Sequence, residues 1–97
     1  MKRKSDTAHS VPIRSALVID DHPLYCDALA LMMESVFNMR RVRKAASLND
    51  AIKLLQSRFS PDIIILDLNL PDVSGLSGFI KIKDKVPDVP VVVISAT

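Results

Sequence analysis

Ile63-Ile64-Ile65-Leu66-Asp67-Leu68-Asn69-Leu70-Pro71-Asp72 is an apolar run that stops on a carboxylate and then breaks into turn residues. Four consecutive aliphatic residues read as a strand covered on both faces, as in a parallel sheet. Two further runs end the same way: Leu17-Val18-Ile19 on Asp20-Asp21, and Val91-Val92-Val93-Ile94 on Ser95. In open α/β sheets, ligands bind just outside the carboxyl ends of the strands. Neighbouring strands lie only ~4.8 Å apart, so carboxylates at their tips share one small space. They repel each other unless a proton or a cation neutralises them. This is the seat of a site for a hard metal ion.

Outward from these runs, the chain alternates strands with helices. The first strand covers Ala16 to Ile19, and Pro23 suits the first position of a helix over Pro23 to Phe37. A strand over Arg41 to Ala45 carries Arg41, Arg43 and Lys44, charge that marks a sheet edge. The second helix opens on Ser47-Leu48-Asn49-Asp50, a capping box with Asp in place of Glu. Its apolar face is Leu48, Ile52, Leu55 and Phe59, and Ser60-Pro61 stops it. The third strand is Asp62 to Leu66. The third helix follows Ser74-Gly75, with Leu76, Phe79, Ile80, Lys83 and Val86 along one side. Pro87 and Pro90 bracket the turn into a fourth strand over Val91 to Ile94. The pattern βαβαβαβ implies an α/β doubly wound parallel sheet with helices on both faces. The charged strand belongs at one edge beside the first, giving the order 2-1-3-4.

Residues 1–12 are polar, lack periodicity and read as a flexible tail, leaving 13–97 as one small domain. An apolar share of 48% with 25% charged residues is that of an ordinary soluble globule. The net charge of +2 is too weak to argue for nucleic acid or a membrane surface. The single cysteine, Cys26, excludes an internal disulfide, fits a reducing compartment, and reads as a core filler. No run approaches the ~20 apolar residues of a membrane helix, and no apolar stretch follows the basic start before Pro12. These features place the chain in the cytoplasm.

Two features look unpartnered. The fourth strand is bare and apolar, a pairing hazard at an edge. The first helix has two apolar stripes, one of Leu24, Ala28, Leu31 and Met32 and one of Leu29, Met33 and Val36. Both point to a fragment, incomplete at its C-terminus, that self-associates through the edge of the fourth strand or exchanges elements between chains.

The chain resembles the receiver domain of two-component response regulators, whose flavodoxin-like order is 2-1-3-4-5. The matching pieces are Leu17 to Pro23, Ile65 to Gly75 and Val92 to Ala96. The spellings Asp-Asp-His-Pro-Leu and Leu-Pro-Asp-Val-Ser-Gly look most like regulators with a LuxR-type helix-turn-helix output domain, which would bind DNA to control transcription. The resemblance implies a fifth strand and two last helices that are not among these residues. It also implies that Asp67 is the phosphoacceptor, attacking the phosphorus of a phosphohistidine on a sensor histidine kinase or of a small donor such as acetyl phosphate. Mg²⁺ would be held by Asp21 directly, Asp20 through water, one oxygen of Asp67 and the main-chain carbonyl of Asn69. Ser95, beside the small Ala96, would hydrogen-bond the transferred phosphoryl group and act as the switch. The family's lysine at the end of the fifth strand has no counterpart here, since Lys81, Lys83 and Lys85 lie on the third helix. Poor phosphorylation of this chain alone is therefore expected.

Other readings are weaker. Asp20-Asp21 before Pro23 could serve only as a helix cap, and Asp67 only as a turn residue. His22 reads as a loop residue or cap, and Tyr25 as a packed one. Arg40, Arg41, Arg43 and Lys44 read as a solvated edge. A haloacid dehalogenase-type phosphatase would need a proton-donating Asp where Asn69 stands, so no enzymatic turnover is expected. The remaining alternative is a phosphorylation-incompetent interaction or dimerisation module with an idle acidic pocket.

Overall fold

A computed structural model describes residues 13–95. The expected tail over 1–12 and the expected role of Ala96 lie outside the described residues. The elements are β1 (Ser15–Ile19), α1 (Pro23–Ser35), β2 (Arg41–Ala45), α2 (Leu48–Gln56), β3 (Ile63–Asp67), α3 (Ser77–Lys85) and β4 (Val91–Ile94). All strand pairs are parallel, in the order β2-β1-β3-β4. The doubly wound sheet read from the three apolar runs is the fold observed.

The two faces of the sheet have different cover. On one side α1 packs Met33 and Leu29 over Ala16 and Ile65. On the other, α2 and α3 bring Leu48, Ala51 and Ile82 onto Leu17, Ile19, Ile64 and Leu66. β1 is buried along its whole length, because it has a strand on each side and helices on both faces. Cys26 is buried, as expected of a core filler.

Helix boundaries and faces depart from expectation in three places. α1 ends at Ser35 rather than Phe37, where the Val36 amide still reaches Met32 O and Asn38 turns to a φ of 56°. Its inner face is Cys26, Ala30 and Met33, while Leu24 and Leu31 are exposed and Tyr25 is 59% exposed rather than packed. A helix apolar on every side gives periodicity nothing to choose with. Contact with the sheet selects the line carrying the small residues.

α2 ends at Gln56, before Ser60-Pro61. The Ser57 amide and hydroxyl both donate to Leu54 O, and Arg58 at φ 74° turns Phe59 inward. On α3 the buried residues are Gly78 and Ile82, with Phe79 and Val86 packed beside them, whereas Leu76 and Ile80 are exposed. A Cβ on Gly78 would meet Val73 Cγ1 at 3.2 Å. The bare glycine makes room for the Val73 side chain of the preceding loop, which packs against the same core.

The edges also differ. β2 is the charged edge expected: Arg41 and Arg43 lie over the Phe59 ring at 5.7 and 6.0 Å, and Lys44 pairs with Asp27 at 2.8 Å. β4 pairs with β3 alone among the described residues, and Val92 and Val93 remain exposed. Among the described residues β4 is the bare apolar edge read from the sequence.

Candidate metal centre

Register brings the polar stops together. Ile19 pairs with Leu66, so Asp20 and Asp67, the next residues on each strand, stand side by side. Asp67 pairs in turn with Ile94, and the Leu68 amide donates to Ile94 O at 3.0 Å, which sets Ser95 one residue beyond. Asp20, Asp67 and Ser95 line one cavity of about 270 Å³ together with Tyr25, Leu29 and Ile94. All three polar stops predicted from the sequence therefore meet at one end of the sheet.

Asp20 and Asp67 are 4% and 2% exposed, and Asp21 is about one-third exposed. Local turns hold the first two carboxylates in place. The His22 amide donates to Asp20 Oδ1 at 2.9 Å, and the Asn69 amide donates to Asp67 Oδ1 at 2.9 Å. Each is a loop folding back two residues onto the aspartate that begins it. The other oxygen of Asp67, Oδ2, is buried and accepts no hydrogen bond, and Asp21 Oδ1 is in the same condition.

One ligand atom from each of Asp20, Asp21, His22 and Asp67 lies within 4.8 Å of the others. Two carboxylate charges at that separation repel by about 3–4 kcal/mol at an effective dielectric near 20. Leaving a buried oxygen without a donor costs about 1–3 kcal/mol more. Such a set is relieved by a proton or a cation among it. Hard carboxylate oxygens with unused lone pairs suit a hard divalent cation.

Among the described residues, the basic side chain that reaches all three carboxylates is His22, a residue that reads in the sequence as a loop or cap position. It does sit at the N-cap of α1, but its side chain makes no cap hydrogen bond. Its Nδ1 lies 2.9 Å from Asp20 Oδ1, 3.2 Å from Asp21 Oδ1 and 3.8 Å from Asp67 Oδ2. The hydrogen bond to Asp20, and then the charge of Asp21, raise its pKa above the ordinary imidazole value. The signal for it in the sequence is a histidine directly after two aspartates at a strand end. Among the described residues no lysine or arginine pairs with the cluster; Lys83 instead donates to Pro87 O and Val89 O.

Comparison with known proteins identifies the family. A glycerol metabolism activator of Pseudomonas putida is 38% identical over 80 residues, covering 82% of this chain and 36% of that protein. A LuxR family DNA-binding response regulator from Silicibacter pomeroyi superposes with a TM-score of 0.72 at 28% identity, over 84% of this chain and 63% of that one. A response regulator from Burkholderia pseudomallei, solved with a phosphorylated aspartic acid, a calcium ion and citrate, gives a TM-score of 0.75 at 31% identity. That match covers 87% of this chain and 48% of the other. The chain spans about a third of the length of the curated relatives it matches. The response regulator receiver domain matches residues 16–97, and the chain belongs to that family.

Proposed function

We propose that this receiver domain takes a phosphoryl group onto Asp67 and thereby controls an output, transcriptional in kind, carried outside these residues. The observation that carries the reading is Asp67 Oδ2: a buried oxygen without a hydrogen bond, on a residue that lines one cavity together with Asp20 and Ser95. Oδ2 would attack the phosphorus of a phosphohistidine on a sensor kinase, or of acetyl phosphate. The new O–P bond forms as the P–N or P–O bond breaks, and the leaving imidazole or acetate keeps the bonding pair.

Both nucleophile and donor are negative, so charge must be neutralised for them to meet. Bound Mg²⁺ would screen that repulsion and orient the phosphoryl oxygens. Asp21, Asp20, one oxygen of Asp67 and the Asn69 main-chain carbonyl are the groups proposed to hold it. The Asn69 amide keeps Asp67 Oδ1 occupied, which leaves Oδ2 as the free nucleophile. Ser95, at the cavity rim, would donate its hydroxyl to the transferred group and report its arrival by moving inward. The domain turns over no substrate of its own in this reading, and its kinase partner implies a cytoplasmic setting. Val92 and Val93, exposed on an edge strand, support pairing of two chains there.

The test is intact mass after incubation of folded chain with Mg²⁺ and acetyl phosphate. One phosphoryl adduct is expected, in low yield because no lysine among the described residues reaches the pocket, and it disappears in Asp67→Asn. A folded chain that takes no adduct under any donor is instead the interaction module with an idle pocket.

A further inference from the structure

His22 has no part in the transfer step, yet its ring stands over all three carboxylates. The cause is local. Asp20 Oδ1 accepts the His22 backbone amide at 2.9 Å and lies the same distance from the ring's Nδ1, so one oxygen fixes both the turn and the ring. The Tyr25 ring meets the imidazole edge-on with centroids 5.8 Å apart. Nδ1 is thereby directed at Asp20, Asp21 and Asp67. A separate observation points to a ligand in the same space: Asp67, 2% exposed, leaves Oδ2 without a hydrogen bond there.

We propose that His22 is a fourth side-chain ligand of the divalent cation in this pocket, its Nδ1 releasing a proton to solvent as the ion binds, and that the site therefore favours a later first-row ion such as Co²⁺ or Ni²⁺ over Mg²⁺. This rests on the pocket being a cation site, as proposed above. Mg²⁺ takes oxygen ligands and keeps several of its waters, so an imidazole adds little to its binding. Imidazole nitrogen is a good ligand for later first-row ions, whose affinities rise along the series from Mn²⁺ to Cu²⁺. Three carboxylates serve either class of ion, whereas the nitrogen serves one.

The test is calorimetric titration of the whole chain with Co²⁺ and with Mg²⁺, at one fixed pH, for wild type, His22→Ala and His22→Phe. The phenylalanine keeps a ring against Tyr25 and removes only the nitrogen. His9→Ala is the control, because His9 is the other of the two histidines in the chain. Loss of a partner behind a metal ligand costs about 10–100-fold in affinity, and loss of the ligand itself should reach at least that range. Both His22 variants should lose ~10–100-fold or more in Co²⁺ affinity with Mg²⁺ affinity unchanged, and His9→Ala should match wild type. Co²⁺ affinity unaltered in His22→Phe, with Mg²⁺ still bound and the Asp67 adduct still formed, overturns the ligand role and leaves the transfer reading standing. A folded wild-type chain that binds neither ion overturns both.

Discussion

Asp62 and Asp67 flank the same strand, and they differ in what their oxygens do. Asp62, just before β3, accepts hydrogen bonds from the Arg14 amide, the Ser15 amide and the Ser15 hydroxyl, all at Oδ2 and between 2.9 and 3.2 Å. It ties the start of β1 to the start of β3 and has an evident structural duty. Asp67, at the other end, gives one oxygen to its own loop and leaves the other buried without a donor. Identity and strand are alike, so composition cannot separate a clamp from a reactive group. Unused bonding capacity in a buried place does.

The largest effect expected from this contrast is a reversal of sign between two substitutions. Asp62→Ala orphans two backbone amides and should cost about 1–3 kcal/mol of stability. At roughly 4–8 °C per kcal/mol for a chain of this size, thermal unfolding would read it easily, and the Asp67 adduct should still form at saturating donor in the folded state. Asp67→Asn removes one member of a mutually repelling set and should leave the melting temperature equal or higher. A large loss of stability in Asp67→Asn would mean that both carboxylates are structural.

Acid provides a gentler test. The Arg14 amide, aided by Ser15, holds the Asp62 carboxyl below its ordinary value, and the Asn49 and Leu48 amides do the same for Asp72. A carboxyl lowered in the folded state adds stability that is fully present above the unfolded value, about 3.9. That stability is lost as pH falls through the lower folded value. Unfolding free energy measured from pH 6 downward should therefore fall below about pH 4, and less steeply in Asp62→Asn.

The smallest effect belongs to Asp72. It lies in the loop after β3 but accepts the Leu48 and Asn49 amides at 3.0 and 2.9 Å, capping α2 from outside that helix. Asp72→Ala should cost about 1 kcal/mol, the usual worth of an N-cap. Hydrogen exchange should quicken at residues 48–50 before it does anywhere in the sheet. Uniform quickening across β1 and β3 would show that the loop, not the helix end, depends on Asp72.

The strands and the gathering of Asp20, Asp67 and Ser95 were legible in the sequence because an aliphatic run that stops on a polar residue fits the end of a buried strand and little else. Parallel register then aligns their ends without further information. Ser47 was legible as the α2 cap because a hydroxyl ahead of an apolar helical face is a local signal, and its oxygen accepts the Asp50 amide at 3.1 Å. What could not be read depends on contacts between elements. The rotations of α1 and α3 are chosen by packing at Cys26, Ala30 and Ile82, and both helices carry enough apolar residues to fit several rotations. The turn that directs the His22 ring is local to Asp20, but its approach to Asp67 exists only once β1 and β3 have paired.

The two rims of the sheet set a rule for assembly. β2 is guarded by Arg41, Arg43 and Lys44, and its arginines are already engaged over Phe59. β4 presents an uncharged row. Among the described residues, only the β4 side offers an unguarded edge to a further strand. Two copies meeting rim to rim about a twofold axis would use up both receptive sides at once. Growth would stop at the pair, because each outer margin would then be a row of cations facing water. In such a pair the lopsidedness would act as a terminator against fibrous stacking.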